Sequence, residues 1–141
     1  MEKITQKKGF SLIEATVSIM ILAIGLLAVM NFFPFAIKIF SDSQNQTIAS
    51  NIALAKIEEL RSLNYDQITV GTIETKQRIS NDPSSYLYDY WRETTVQTID
   101  SNFSNSATDL GLKKITVKVF WDSPISKNEK FIQILSTASN Y

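Results

Sequence analysis

An almost unbroken run of apolar residues extends from Phe10 to Phe33. At about 1.5 Å per residue, a helix of this run would be roughly 36 Å long, against about 30 Å for the hydrocarbon core of a bilayer. A cleaved secretory signal has a shorter apolar region that small residues follow, and this run does not fit that description. The pattern therefore predicts a membrane-inserted helix, with a buried core helix as the alternative. Pro34 follows directly and predicts a bend or an end of the helix, because proline removes a backbone donor.

A second helical pattern begins after Pro34 and becomes amphipathic from Thr47 to Leu63. Its apolar residues fall within one half of a helical wheel: Ile48, Ala49, Ile52, Ala53, Ile57, Leu60 and Leu63. Lys56 interrupts this stripe, and Asn64 or the residues just after it should end the helix. Because a half-apolar helix must pack on another element, we expect an amphipathic helix at about 35–64 that lies against a sheet.

Three segments in the second half of the chain predict strands, at 88–99, 113–121 and 130–136. The middle one alternates cleanly, with its apolar β-branched residues on one face and lysines and Thr116 on the other. Residues 65–85 are mostly loop in pattern and could hold a short strand pair. We predict an antiparallel sheet of three to four strands at about 86–136, and therefore an α+β fold.

Charge and composition narrow the function. Fourteen basic and fourteen acidic residues cancel, so no general field attracts nucleic acid. The first nine residues carry three lysines and one glutamate, which predicts a flank held on the cytoplasmic side of the membrane. The chain has no cysteine and no histidine, which excludes disulfides, thiolate metal sites and imidazole catalysis. No cofactor or metal is expected.

Glu14 is the one charged residue inside the apolar run. An isolated carboxylate in a bilayer costs about 3 kcal/mol on insertion scales. It could simply reach the headgroup region, since it lies one turn from the start of the run. The alternative is that a positive charge matches it, and an amine created by cleavage just before Phe10 would suit. That amine could belong to the same chain or to a staggered neighbouring subunit.

The stretch KKGFSLIE followed by an apolar helix resembles the cleavage and methylation signal of type IV prepilins and pseudopilins. The likeness lies in the basic flank of Lys7 and Lys8, in Gly9, in the aromatic Phe10, and in Glu14 at the fifth position after the glycine. It implies that a membrane-embedded prepilin peptidase/methyltransferase cuts between Gly9 and Phe10 and N-methylates Phe10. It also implies that Glu14 engages a neighbouring N-terminus during assembly.

The helix NQTIASNIALAKIEELRSLNYDQI and the strands after it resemble, more loosely, PilV-type minor pilins and I-type minor pseudopilins. This likeness implies a pilin-like fold with a leader peptide at 1–9, a transmembrane and filament-core helix at 10–33, and a globular domain at 34–141. Many major pilins close a C-terminal loop with a disulfide, and this chain lacks cysteine. That departure favours a minor subunit.

The remaining residue groups give weak signals. Glu58 and Glu59 point about 100° apart on a helix, so they predict a solvated face and no catalytic pair. The aspartates of the globular part lack calcium-loop spacing, which leaves a single calcium site open. The cluster of Tyr86, Tyr88, Tyr90 and Trp91 predicts core and sheet packing. A surface that binds DNA or carbohydrate is the alternative, but no cluster of Arg or Lys lies nearby in the sequence. Lys113, Lys114 and Lys118 are interpreted as charges that protect strand edges.

The sequence thus favours a structural subunit and not an enzyme. The expected function is a minor, tip or initiation, pilin of a type IV pilus. Its partners would be the prepilin peptidase, other pilin or pseudopilin subunits, and the inner membrane. The chain would cross that membrane once with its N-terminus in the cytoplasm, and would later join an extracellular or periplasmic filament. The alternatives are a minor pseudopilin of a type II secretion system and a membrane-anchored binding module that never polymerises.

Overall fold

A computed structural model describes residues 9–140. The chain begins with one helix, α1 (Leu12–Arg61), 50 residues long. A short 3-10 helix (Tyr65–Gln67) and four strands follow, β1 (Gly71–Arg78), β2 (Tyr90–Thr98), β3 (Leu112–Asp122) and β4 (Glu129–Ser139). The strands form one open antiparallel sheet in the order β1-β2-β3-β4. The predicted α+β, pilin-like fold is confirmed.

The chain divides into two compact units, residues 1–39 and residues 40–141. In the described part of the first unit, α1 packs against no other element, and every residue from Phe10 to Phe33 is exposed except the half-buried Ala15. Pro34 lies inside α1, so the helix does not end there. The bend expected at Pro34 stays a prediction.

In the second unit, the amphipathic part of α1 covers one face of the sheet. Ala49, Ala53, Ile57 and Leu60 are buried, and Ile48 and Ile52 pack at the margin of the core. This confirms the predicted stripe except at Leu63, which is 41% exposed because α1 already ends at Arg61. Asn64, expected near the helix end, instead has an extended backbone and leads into the 3-10 turn.

The sheet supplies the other half of the core through alternate residues of its central strands. Ile115, Val117 and Val119 of β3 are fully buried, as is Val96 of β2. β3 pairs residue by residue with β4 along its length and with β2 from Lys113 to Trp121, so its side chains alternate between the two faces of the sheet. Phe120, on the outer face, is also buried and packs against Phe131. The sheet begins earlier than the predicted boundary, because β1 occupies a segment that was expected to be mostly loop.

The region before β2 holds one strand and no internal strand pair. β1 pairs with β2 across two register shifts, so its residues do not alternate regularly between the two faces of the sheet. A sequence without that alternation resembles a loop. Its polar composition also conceals it, since only Ile73 among its residues is a large apolar side chain.

Candidate functional site

The predicted cleavage site lies immediately before α1. Gly9 and Phe10 are exposed and non-helical, and the Phe10 side chain is 75% exposed. The first helical hydrogen bond of this region runs from the Ala15 amide to the Ser11 carbonyl at 3.1 Å. The bond between Gly9 and Phe10 therefore lies in exposed, irregular backbone, where a protease can reach it. Lys7 and Lys8 lie outside the described residues.

Nothing in the described chain itself requires glycine at position 9. A Cβ added to Gly9 would meet no atom within 4 Å. Glycine is otherwise favoured where the backbone is left-handed or where another group approaches closely. Among residues 9–140, no close contact thus accounts for glycine at this position.

Glu14 lies in the first turn of α1 and is exposed. Among residues 9–140, no group forms a hydrogen bond or ion pair with its carboxylate. An acidic residue in the first turn interacts favourably with the helix dipole, by about 0.3–1 kcal/mol. That interaction is smaller than the roughly 3 kcal/mol cost of placing the charge in hydrocarbon.

The two hydroxyl residues near Glu14 are satisfied within the helix. Thr16 Oγ1 donates to the Ile13 carbonyl at 2.9 Å, and Ser18 Oγ donates to the Glu14 carbonyl at 2.7 Å. Because such back-bonding removes the cost of a bare hydroxyl in an apolar medium, neither side chain needs an external partner. The Glu14 carboxylate, in contrast, has no hydrogen-bond partner among residues 9–140.

The described part of the chain has one helix, α1, that is long and apolar enough to cross a membrane by length and composition. No part of its most apolar window is buried. The apolar surface continues past Pro34, where Phe35 is 50% exposed and Phe40 is 81% exposed. This surface has no cover within residues 9–140.

The globular unit contains a partly buried charge network that the sequence pattern did not indicate. Glu74 of β1 accepts two hydrogen bonds from Arg92, both 2.8 Å long, and one from the Thr94 hydroxyl at 2.9 Å. Lys56 of α1 lies 3.3 Å from the same carboxylate and 2.9 Å from Glu59. Burial would raise the pKa of Glu74, but its hydrogen bonds and the charges of Arg92 and Lys56 outweigh burial and lower it. Lys56, which interrupts the apolar stripe, is thus a paired core residue.

Lys113 has a similar structural role. It is buried, and its Nζ donates to the main-chain carbonyls of Tyr65 and Ile68, both at 2.9 Å. The ammonium also lies 3.9 Å from the centre of the Tyr65 ring. The interpretation of Lys113 as an exposed edge charge is therefore wrong, because β3 is a central strand and this side chain holds the 3-10 turn.

Tyr65 itself is hydrogen-bonded to Asp109. Burial, together with the hydrogen bond and negative charge of Asp109, raises the pKa of Tyr65 to about 12. The tyrosine bond and the Gly111 amide lower the pKa of Asp109 in return. These contacts join the 3-10 helix to the loop that precedes β3.

Three further hydrogen bonds join α1 to the sheet within the globular unit. Asp42 accepts hydrogen bonds from Lys130 at 2.6 Å and from the Trp121 indole at 3.4 Å. The lysine bond, opposed by burial, lowers the pKa of Asp42. The Tyr90 hydroxyl donates to Asn45 at 3.0 Å. All these contacts position the helix on the sheet.

The described residues form no group of three or more acidic side chains that could hold a metal ion. Asp82, Asp100 and Asp109 instead accept hydrogen bonds from nearby backbone amides in turns. Among the clustered aromatics, Tyr90 is a core residue, whereas Tyr86 is 74% exposed. The guanidinium of Arg78 stacks over the rings of both Tyr88 and Trp91.

Comparison with known proteins gives one match. Residues 4–30 match the family model of the prokaryotic N-terminal methylation motif, whose members are pilin-like structural subunits. No curated protein and no solved structure matches the chain significantly. The match covers the basic flank, the predicted cleavage site, Glu14 and most of the apolar run, and it does not extend to the PilV-type subtype.

The motif implies processing by a prepilin peptidase and association with other pilin subunits, and the apolar helix fits membrane anchoring. The exposed glycine, the aromatic residue after it and the acidic first turn occupy the matched segment. This chain therefore carries a type IV prepilin-like methylation signal at the head of an α+β, pilin-like fold.

Proposed function

We propose that this protein is a non-enzymatic, minor subunit of a type IV pilus. One observation carries the proposal: the methylation motif at residues 4–30 includes the start of a helix whose apolar surface is uncovered within residues 9–140. Such a surface needs lipid or other helices around it, because water exposure of so much apolar area is unfavourable. A subunit that is stored in a membrane and later packed into a filament meets both conditions in turn.

Processing begins with residues 1–9 as the leader. Lys7 and Lys8 keep this flank in the cytoplasm, and the peptidase cuts between Gly9 and Phe10 and methylates the Phe10 amine. The bond lies in exposed backbone, and a Cβ at Gly9 would meet no atom within 4 Å. Both observations support a role for Gly9 in recognition by the peptidase.

Residues 10–33 then serve first as the membrane anchor and later as the filament-core helix. Residues 34–141 form the globular domain, which lies outside the inner membrane and becomes part of the filament surface. The segment around Pro34 is the place where we expect α1 to bend. The lack of the cysteine pair typical of major pilins favours the minor role.

Glu14 sets the stagger between subunits by pairing with the Phe10 amine of a neighbour. In the apolar environment of packed helices, a carboxylate without a partner is costly and a matched pair is not. The pair therefore exists only after cleavage has produced the amine.

The test is incorporation of Glu14→Ala into filaments, with Glu58→Ala as the matched control, since Glu58 is an exposed glutamate on the same helix. We expect membrane insertion and cleavage to be unchanged and incorporation of Glu14→Ala to fall at least tenfold. Glu14→Asp should keep part of the activity. Normal incorporation of Glu14→Ala would refute the pairing.

Two other functions are outcomes of further measurements. Loss of protein export without loss of pili in a deletion strain would identify a pseudopilin of a type II secretion system. A chain that keeps its leader in the presence of the peptidase would identify a membrane-anchored binding module.

A further inference from the structure

The two edges of the sheet differ in a way that points to a binding surface. β1 and β4 are the edge strands, and within residues 9–140 no strand pairs with their outer sides. Exposed edges invite pairing with other chains, and proteins commonly protect them with bulges, charges or proline. Only one of these two edges is protected.

The β1 edge carries several protective features. Its pairing with β2 shifts register twice, which twists the strand out of a regular ladder. Lys76 and Arg78 add charges at alternate positions, whereas the Glu74 side chain is engaged with Lys56 and Arg92. Lys76 also covers the Phe120 ring, and forms an ion pair with Glu129.

The β4 edge carries no such protection after its first two residues. It is 11 residues long and pairs with β3 without a register shift along its full length. From Phe131 to Ser139 it contains no charge, proline or glycine. Phe131 is 58% exposed and Leu135 is 56% exposed on the outer face of the sheet.

The hydrogen-bond phase of β4 shows which backbone groups are free. The Asn140 amide donates to the Gly111 carbonyl at 3.1 Å, next to the ladder pair Leu112 and Ser139. In an antiparallel ladder, bonded and non-bonded pairs alternate, so even-numbered residues of β4 bond to β3. The odd-numbered residues therefore point their N–H and C=O groups outward: Phe131, Gln133, Leu135, Thr137 and Ser139.

The outward N–H and C=O groups of these five residues form a regular row. A further strand is the partner that can form hydrogen bonds with all of them. We propose that the β4 edge, Phe131–Ser139, binds an extended, uncharged strand of a different subunit as an added antiparallel strand. Main-chain hydrogen bonds supply the affinity, and apolar partner side chains opposite Phe131 and Leu135 supply the specificity. This inference rests on the proposed function, in which subunits share one orientation.

A second copy of this chain fits the edge poorly. Its β1 would bring bulges and the charges of Lys76 and Arg78 against an uncharged, regular strand. Its β4 could pair antiparallel only if the copy were reversed. Within the globular unit, β4 runs in the same direction as α1, because Lys130 contacts Asp42 at one end and Ser139 lies near Arg61 at the other. Reversal would thus point the two helices in opposite directions, against the common orientation of the proposed assembly.

The experiment places a photo-crosslinking residue at Gln133 of the full-length chain, in cells that assemble the native subunits. The matched control places the same residue at Gln77, an exposed position on the β1 edge. We expect an adduct from position 133, mapped by mass spectrometry to an uncharged extended segment of another subunit, and at least tenfold less adduct from position 77.

Two substitutions test whether this contact matters for assembly. Gln133→Lys places a charge on the free edge, and Gln77→Lys adds the same charge to β1. We expect incorporation to fall about tenfold for Gln133→Lys and to stay within twofold for Gln77→Lys, with equal thermal unfolding of the two variants in detergent.

Normal incorporation of Gln133→Lys, or an adduct that maps to a helix or to a second copy of this chain, would overturn the inference and leave the proposed function standing. Failure of the unmodified chain to enter any assembly would overturn both. Equal unfolding of the two lysine variants separates loss of binding from loss of folding.

Discussion

Replacing Glu74 by glutamine should destabilise the globular unit more than any other single change of a charged residue in its network. The Glu74 side chain is only 13% exposed and accepts three hydrogen bonds, two of them from Arg92. Glutamine has nearly the same shape, but it turns one acceptor oxygen into a donor that faces the Arg92 guanidinium. The substitution therefore removes charge and acceptors without creating a cavity.

The magnitude follows from the groups left behind. Removing one partner of a buried ion pair typically costs about 3–5 kcal/mol, because the other charge stays buried. Two features reduce that cost here: the Arg92 side chain is 21% exposed, and Lys56 keeps Glu59 at 2.9 Å. We expect a loss of about 2–3 kcal/mol in the free energy of unfolding near neutral pH.

The assay is denaturant unfolding of the full chain in mild detergent, followed by the fluorescence of Trp91 and Trp121. Glu59→Gln is the matched control, because the Glu59 side chain is 62% exposed and a surface pair contributes about 0–1 kcal/mol. Equal effects of the two variants would contradict the assignment of the stabilisation to burial.

The pH dependence gives a second criterion. The pKa of Glu74 is lower in the folded chain than its ordinary value of 4.5, so its charge stabilises the fold above that value. This contribution is lost as the pH falls through the folded pKa. The difference between the wild type and Glu74→Gln should therefore shrink below pH 4.5, and a difference that stays constant on acidification would refute the reasoning.

Three further changes test other parts of the account. Lys113→Met should cost about 1–3 kcal/mol in denaturant unfolding, because the Ile68 carbonyl loses its lysine partner and the Tyr65 carbonyl keeps only the Ile68 amide, whereas Lys118→Met on the opposite face should cost less than about 0.5 kcal/mol; equal costs would contradict the buried role. Asp109→Asn should lower the pKa of Tyr65 from about 12, and tyrosinate absorbance should then appear at a lower pH. In the wild type, the free energy of unfolding should fall as the pH rises from about 10 to 12, because the pKa of Tyr65 is higher in the folded chain than in the unfolded chain. Gly9→Val should leave membrane insertion intact but block leader removal on an immunoblot, and normal cleavage would show that recognition does not depend on this glycine.

The extent to which sequence predicted this protein depends on the kind of pattern. The apolar run, the amphipathic stripe and the alternation of β3 each extend over many residues, and each was confirmed as a helix or strand. The motif around Gly9 was also accessible, because residue type, order and distance to the helix all agree there. β1 was indicated only as part of a possible short strand pair, because its residues are mostly polar and its pairing with β2 is irregular.

The buried charges escaped for a different reason. Lys56, Glu74 and Arg92 are far apart in sequence, and only the pairing of β1 with β2 beneath α1 brings them together. Lys113 likewise resembles its half-buried neighbour Lys114 until the 3-10 turn is placed beside it. A lone charge in an amphipathic stripe, such as Lys56, is the one sequence signal that could have indicated such a network.

The first residue of the mature chain is the most direct test of the proposal that this chain is processed as a type IV prepilin. The protein should be purified from membranes of cells that contain the prepilin peptidase, and its N-terminus should be determined by intact mass and by terminal sequencing. The account predicts a chain that begins at N-methylated Phe10, with residues 1–9 absent. A chain that still begins at Met1 in those cells would contradict it.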